Sequence, residues 1–198
     1  YAYPWEKAGK LSTEMAEKLG LCPGTAIAAP QMDGYAALPA TGVTEPGQML
    51  MMAGTSTAML LLSHNDMYVP GICAGVKDSG LPGYYCYAAG QASTGDCFQW
   101  FVDNCVPAIY SNTADKGNLD LHQYFTRLAS RMSPGETGLI ALDWWNGNKS
   151  NLVDADLSGV IIGLSLQTKP EHIYRALLEA TAFGANSIIR NYERHGIS

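Results

Sequence analysis

The chain has 198 residues, of which 47% are hydrophobic and only 15% charged, and it carries a formal net charge of -6. This apolar content suffices for one large domain or parts of two, and the acidic balance, without any basic cluster, gives no support for nucleic-acid binding. Because charged residues usually make up about a quarter of a domain, the low fraction indicates that part of the surface normally meets another surface.

The cysteines and histidines give no sign of a disulfide framework or a zinc site. The five cysteines are odd in number and contain no Cys-x-x-Cys pair, and the four histidines show no ligand spacing. Reduced thiols in a cytoplasmic protein are the expected state. No apolar stretch approaches the length needed to span a bilayer.

The first half of the chain predicts short helices and strands that lead into a β-hairpin. A helix with a serine N-cap and a closing glycine is predicted over residues 11–19, a buried strand over 25–29, and a helix limited by its proline over 34–40. Two apolar, β-prone runs flank a small tip in residues 47–63, which is typical of a hairpin. Residues 64–83 are rich in Gly, Pro and Asp and predict a loop with one short strand.

The second half predicts strands alternating with helices, which indicates an α/β fold. The predicted elements are a strand at 84–87, helices at 88–102 and 119–132 with a loop at 113–118 between them, a buried strand at 139–142, an aromatic loop at 144–151, and a strand or buried turn at 160–164. The final helix is the clearest, because apolar residues recur at helical spacing between Ile173 and Ile188. Thr168 and Glu171 match a capping box, with Pro170 in the first turn.

The tip of the hairpin carries the chemistry of a phosphate site. Gly54 allows the backbone to come close to a ligand, and Thr55, Ser56 and Thr57 supply hydroxyl donors beside free amides. A Gly-Thr-Ser tripeptide is common, so the motif alone is weak evidence.

Asp33 is the candidate general base. It follows the short strand at 25–29, where a carboxylate is well placed to take a proton. The alternative is a helix cap or turn residue. Together, a base and a phosphate-gripping hairpin indicate phosphoryl transfer to a hydroxyl.

Gly95 lies in a Gly-rich segment that lacks the Gly-x-Gly-x-x-Gly pattern of a dinucleotide site. It is either a close packing point or a place where a nucleotide lies against a helix, with Gln99 one turn further on the same face. The residues alone favour packing.

Other motifs favour structural interpretations. Residues 148–150 read Asn-Lys-Ser, but they lack the glycines of a P-loop, and a glycosylation site has no other support. Trp144 and Trp145 could stack on a sugar, yet aromatic residues beside a core strand are more often lids over the core. Asp154 and Asp156 could bind a metal, but a solvated turn is favoured because an EF-hand glycine and glutamate do not follow.

Five segments in order resemble the FGGY family of carbohydrate kinases. They are residues 28–42 around Asp33, AGTSTAM, PGYYCYAAGQASTGDCFQWF, LDWWNGNKS, and SGVIIGLSLQTKPEHIYRALLEATAFG. The resemblance covers nearly the whole chain, and LDWWNGN is characteristic of ribulokinase-like members. It implies an actin-like ATPase fold of two ribonuclease-H-like halves around a cleft, with this chain supplying mostly the second half and the tail of the first.

The resemblance also implies a reaction. Asp33, as catalytic base, takes the proton from a hydroxyl of a ketopentose such as L-ribulose while that hydroxyl attacks the γ-phosphate of MgATP. The implied ATP-binding residues are Gly54, Thr55, Ser56, Gly95 and Gln99. This reverses the packing interpretation of Gly95. The metal ligands are not identified.

Two departures from the ribulokinase-like pattern concern the sugar. The position before Ala-Gly-Gln usually carries a glutamate that helps hold the sugar, and here it is Ala88. The resemblance therefore implies two substrate-binding positions, Asp33 and Ala88. Asp-Ala-His is usual after the base strand, whereas this chain has Tyr35 in place of the histidine. Because a lost carboxylate removes a directional acceptor for hydroxyls, another ketopentose or a pentitol is the alternative substrate.

The resemblance implies that the chain is an excerpt of a longer kinase. Residues 1–44 are expected to end the family's N-terminal domain and 45–198 to begin its C-terminal domain, with most sugar contacts before residue 1 and adenine contacts after residue 198. The isolated piece is expected to be inactive, and the full-length enzyme to be a cytoplasmic homodimer.

Overall fold

The computed structural model describes residues 3–197, apart from the side chains of residues 73 and 74. Eight strands and six helices form in this part of the chain. In chain order they are β1 (Lys7–Lys10), α1 (Thr13–Leu19), β2 (Ala26–Ala28), α2 (Asp33–Ala40), β3 (Met49–Ala53), β4 (Thr57–Ser63), β5 (Cys73–Lys77), β6 (Tyr85–Gln91), α3 (Gly95–Cys105), α4 (Ala108–Lys116), α5 (Leu121–Ala129), β7 (Ile140–Leu142), β8 (Val160–Ile162) and α6 (Pro170–Arg194).

The central sheet has four antiparallel strands in the order β3-β4-β6-β5. The predicted hairpin is confirmed, since β3 and β4 pair from Met49 opposite Leu61 to Ala53 opposite Thr57. β1 pairs with β2, and β7 with β8, in two small antiparallel sheets.

Strand β4 is almost wholly buried. Because alternate side chains point to opposite sides of a sheet, it packs against the core on both faces. Met59 and Leu61 face α6, where they pack with Ile188. Leu60 and Leu62 face the other way and pack with Leu38 of α2. The sheet therefore fixes α2 relative to the hairpin.

A third core cluster lies between α3, α5 and α6 and is largely aromatic. Phe101 and Phe125 meet edge to face at 5.2 Å between ring centroids, and Tyr174 lies 5.4 and 5.5 Å from them. Such geometries are the favoured ones for aromatic pairs. This packing holds α3, and so the segment after β6, against α6.

The predicted start of the last helix is one residue early. Pro170 lies in the first turn as expected, but it is the first residue of α6, and the N-cap is Lys169. The Thr168 hydroxyl instead accepts a hydrogen bond from the Ser165 amide at 2.9 Å, and the Glu171 carboxylate accepts one from the Tyr110 hydroxyl at 2.7 Å. The predicted capping box is therefore wrong.

Three other predictions are corrected. Residues 88–91 are strand, not helix, because β6 pairs with β4 residue by residue as far as Gln91. The predicted loop at 113–118 mostly belongs to α4, which begins after Pro107, a residue whose fixed φ suits a helix start. β2 was expected to be buried, yet all three of its residues are exposed.

The described cysteines Cys22, Cys86, Cys97 and Cys105 are free thiols, while the side chain of Cys73 lies outside the described part. Burial raises the pKa of the Cys86 thiol to about 12. Among the helices described between residues 3 and 197, none is long and apolar enough to cross a membrane.

Candidate active site

The hairpin tip and the start of α3 are joined through their backbones. The Gly95 amide donates to the Gly54 carbonyl at 2.9 Å, and the Thr94 and Asp96 amides donate to the Thr55 carbonyl at 2.9 and 3.3 Å. A β-carbon added to Gly95 would lie 2.7 Å from the Gly54 oxygen, so the approach requires glycine. Gly95 thus has the packing role that its local sequence favours, and that role brings it to the predicted phosphate turn.

The tip presents free hydrogen-bond donors. Thr55 and Ser56 are exposed, and neither their hydroxyls nor their backbone amides donate to any described residue. The Ser56 carbonyl accepts from the Gly54 amide at 3.0 Å, which closes the turn. Clustered amides and hydroxyls of this kind suit an anion, and phosphate binding at the tip stays a prediction.

Gln99 lies one turn after Gly95 on α3, and its amide is already engaged. Its nitrogen donates to Asp103 at 2.9 Å, and its oxygen lies 3.1 Å from a ring nitrogen of His122. The side chain is exposed, so a ligand that approaches α3 can compete for either bond.

Asp33 is the first residue of α2, and its side chain is exposed. Met32 is the N-cap, so Asp33 does not serve as the cap. One carboxylate oxygen accepts from the Gly34 amide at 2.7 Å, and the other has no partner among the described residues. The second oxygen is therefore free to accept a hydrogen bond from a ligand.

A cavity of about 200 Å³ opens beside Asp33. Tyr35 of α2, Ala88 of β6 and Lys149 of the loop after β7 also line it. The rest of the lining is apolar or glycine: Met32, Gly34, Met52, Ala58, Leu60 and Ala89. The cavity therefore brings Asp33, Tyr35 and Ala88 together, while the hairpin tip, Gly95 and Gln99 are not among its lining residues.

A second cavity, of about 300 Å³, lies between β6, the loop after β7, and α6. Asp143 lines it and is only 7% exposed. The Gln91 amide donates to Asp143 at 2.6 Å and to the Thr181 carbonyl at 2.8 Å. Burial raises the pKa of the Asp143 carboxyl, and the bond from Gln91 opposes that shift.

Gly184 of α6 makes room for this buried pair. A β-carbon at this position would lie 2.7 Å from the Gln91 nitrogen and 2.9 Å from an Asp143 oxygen. The glycine of ATAFG, in the middle of α6, is therefore required by the close packing of this buried pair.

The loop after β7 is held firmly. The buried Ser150 hydroxyl accepts from the Gly90 amide at 2.8 Å. Asn148 and Asp154 exchange two backbone hydrogen bonds at 2.8 and 2.9 Å. Lys149, between Asn148 and Ser150, is exposed and lines both cavities.

The tryptophans of this loop have different positions. Trp145 packs on the third core cluster and on Trp100 at 5.3 Å between ring centroids, as a lid residue does. Trp144 lines the larger cavity.

Residues 49–198 match the family model described as "FGGY family of carbohydrate kinases, C-terminal domain". The chain belongs to the FGGY family of carbohydrate kinases. It is 52% identical over 192 residues to a ribulokinase of Anoxybacillus flavithermus, a match that covers 97% of this chain and 34% of that protein.

Solved structures support the same assignment. A xylulose kinase from Rhodospirillum rubrum superimposes with a TM-score of 0.80 at 26% identity, over 98% of this chain and 37% of that one. A Plasmodium falciparum glycerol kinase with ADP gives a TM-score of 0.74 at 18% identity, over 99% of this chain and 37% of that one, which shows the fold alone.

The family resemblance and the α/β, actin-like ATPase fold expected from the sequence are therefore confirmed. This FGGY chain spans about a third of the length of the curated relatives it matches. The division into domains at residues 44 and 45 stays a prediction.

Sequence reasoning about this FGGY chain missed the buried Gln91–Asp143 pair. Gln91 lies in the Gly-rich segment before Gly95, Asp143 directly follows the predicted strand at 139–142, and neither belongs to a recognisable motif. The signal that could have found the pair is a polar residue at the end of each of two apolar strands, β6 and β7.

No group of three His, Cys, Asp or Glu side chains suited to a metal ion occurs among the residues that the structure describes. Asp154 accepts a bond from the Asp156 amide at 2.9 Å, and both are exposed, as in a solvated turn.

Proposed function

We propose that the intact protein transfers the γ-phosphoryl group of ATP to a hydroxyl of a ketopentose such as L-ribulose. The supporting observation is the cavity in which Asp33 offers a free carboxylate oxygen beside Ala88, at the position implied by the FGGY resemblance. The relatives that share about half of this chain's residues are named ribulokinases.

Asp33 acts as the general base in this proposal. Its free oxygen takes the proton of the attacking sugar hydroxyl, while its other oxygen stays on the Gly34 amide and fixes the side chain. A positioned base of this kind accelerates proton transfer by about 10²–10⁴-fold.

The hairpin tip holds the phosphates. The unpartnered amides and hydroxyls of Thr55 and Ser56 fit an anion, and Gly54 keeps the turn free of a side chain. Gly95 and Gln99 contact the nucleotide, with Gln99 exchanging its bond to Asp103 or His122 for one to the ligand.

A Mg²⁺ ion that accompanies ATP would bind phosphate oxygens, keep several waters and take one or two carboxylates from a protein. When bound, it neutralises charge on the transferred group. The described residues offer no cluster of carboxylates to cage it, so no protein ligand is assigned.

A second candidate substrate is another ketopentose or a pentitol. Ala88 lines the Asp33 cavity without any polar group, so the acceptor that a glutamate would supply is missing from that wall. Tyr35 lines the same cavity, and its side chain is larger than the histidine that is usual at this position in ribulokinase-like members.

The assay that tests the proposed function is ADP release by the intact protein with MgATP and a panel of ketopentoses, aldopentoses and pentitols. Turnover with at least one ketopentose is expected. If L-ribulose is best by a wide margin, the second candidate is wrong, and if no sugar or pentitol stimulates ADP release, the proposed function is wrong.

Three further points stay proposals: a homodimer, a cytoplasmic location, and inactivity of the isolated 198-residue chain. Light scattering on the intact protein tests the first, and fractionation of cells tests the second. Calorimetric titration of the isolated chain with MgATP tests the third, and tight binding would count against it.

A further inference from the structure

Lys149 occupies a fixed position between the two cavities. Both of its neighbours are tied down: Ser150 accepts from the Gly90 amide of β6, and Asn148 pairs with Asp154 through two backbone bonds. The Asn148 side chain also accepts from the Leu152 amide at 3.1 Å. The loop therefore presents the lysine from a rigid base, although the side chain is long and exposed.

Lys149 is the single cation that lines either cavity within the described residues. Its ammonium makes no ion pair and no hydrogen bond to any residue described between 3 and 197. A lysine with an i,i+4 partner, such as Lys18 with Glu14 at 2.7 Å, has its charge balanced locally, whereas Lys149 has three free donors.

The Asp33 cavity needs a positive charge if phosphoryl transfer takes place there. The Asp33 carboxylate and an incoming phosphoryl group are both anionic and repel each other, most strongly where water is excluded. The remaining lining is apolar apart from Tyr35, and the donors of the hairpin tip lie outside this lining. A flexible ammonium that reaches the same cavity can neutralise that charge.

We propose that Lys149 is a substrate-contacting residue whose ammonium binds the phosphoryl group during its transfer to the sugar beside Asp33. This inference rests on the proposed function and adds to it the cation of the Asn148-Lys149-Ser150 segment, which lacks the glycines of a P-loop. Lysine suits the role as a point charge with three donors, since no planar, bidentate contact is required.

The test compares Lys149→Met, Lys149→Arg and the control Lys116→Met in the intact protein. Lys116 is an exposed lysine in the last turn of α4 and lines neither cavity. With the best sugar of the panel, Lys149→Met should lower kcat about 100-fold, as loss of one transition-state donor does, with little change in the KM for the sugar. Lys149→Arg should recover part of the loss, and Lys116→Met should behave as the parent.

A second measurement does not depend on the sugar. Calorimetric titration with MgADP is performed with and without aluminium fluoride, which imitates the transferred phosphoryl group. In the parent and in Lys116→Met, the fluoride complex should tighten MgADP binding. In Lys149→Met the affinity for MgADP alone should persist, and the tightening should be lost.

The outcomes separate the two proposals. If Lys149→Met keeps parental kcat or keeps the fluoride-dependent tightening, the role of Lys149 is refuted while the kinase proposal stands. If the parent neither binds MgADP nor phosphorylates any sugar, the kinase proposal fails, and the role of Lys149 fails with it.

Discussion

The Gly95 amide donates a 2.9 Å hydrogen bond to the carbonyl of Gly54, forty-one residues earlier, and so ties the start of α3 to the tip of the β3–β4 hairpin. The hydroxyls of Thr57 and Thr94 lie 2.8 Å apart and support the same junction. Hydrogen bonds therefore join the predicted phosphate turn to the predicted nucleotide helix.

Gly95→Ala should separate this junction. The added β-carbon would lie 2.7 Å from the Gly54 oxygen, so the tip must shift, at a cost of about 1–3 kcal/mol of stability. Thermal unfolding should show a lower midpoint, and calorimetry should show weaker MgADP binding. Gly9→Ala is the control, since nothing lies within 4 Å of a β-carbon there. A Gly95→Ala variant that matches Gly9→Ala in both measurements would contradict the junction's importance.

Ser150→Ala should loosen the loop after β7. The buried Gly90 amide would lose its acceptor, and a buried unsatisfied amide costs about 1–3 kcal/mol. Thermal denaturation checks this against Ser130→Ala, whose exposed hydroxyl donates to the Arg127 carbonyl at 3.0 Å. Equal melting midpoints for the two variants would show that water replaces the Ser150 hydroxyl.

Asp143→Asn should change how stability depends on pH. Burial raises the pKa of Asp143 in the folded state, so between its unfolded and folded pKa values the folded protein binds more protons than the unfolded chain. The stability linked to the protonated form is complete below the unfolded pKa and is lost as pH rises through the folded pKa. The isosteric asparagine keeps an acceptor for Gln91 and does not titrate, so it should gain stability relative to the parent as pH rises from 4.

Unfolding of both proteins across pH 4 to 8 measures this difference. Asp115→Asn, which replaces an exposed carboxylate on α4, is the control. Its free energy of unfolding should depend on pH in the same way as that of the parent protein. If the free energy of unfolding of Asp143→Asn also follows the pH dependence of the parent protein, Asp143 is not buried as described.

Local sequence patterns predicted the features that depend on neighbours in the chain. The β3–β4 hairpin follows from two β-prone runs around a small tip, and α1 follows from Ser12 as its cap and Gly20 at its end. The grouping of Asp33 with Ala88 comes from a family resemblance and stays a prediction, and both residues line the same cavity.

Features that depend on distant partners escaped prediction. The end of β6 looks helical by itself, and its pairing with β4 decides that it is a strand. Gln91 and Asp143 are fifty-two residues apart, and only the fold shows that they meet. The Asn- and Thr-containing sequence of α4 is a weak helix former, so its context decides its structure.

Ala88→Glu should give the smaller cavity a second carboxylate besides Asp33. That carboxylate would accept hydrogen bonds from sugar hydroxyls. Because hydrogen bonds to a charged group contribute about 1.5–3 kcal/mol, the KM for L-ribulose should fall about tenfold or more. Ala88→Gln is the matched control for size without charge and should give a smaller effect. Steady-state kinetics with the sugar panel measure both, and a rise in KM for every sugar in both variants would contradict a substrate-facing Ala88.

The central claim, that Asp33 is the general base, is tested most directly by the turnover of Asp33→Asn in the intact protein, with MgADP affinity measured alongside. Asparagine can keep the bond from the Gly34 amide but cannot take the proton, so kcat should fall by about 10²–10⁴-fold while MgADP affinity is unchanged. Asp115→Asn should keep parental turnover. Parental turnover in Asp33→Asn would contradict the assignment.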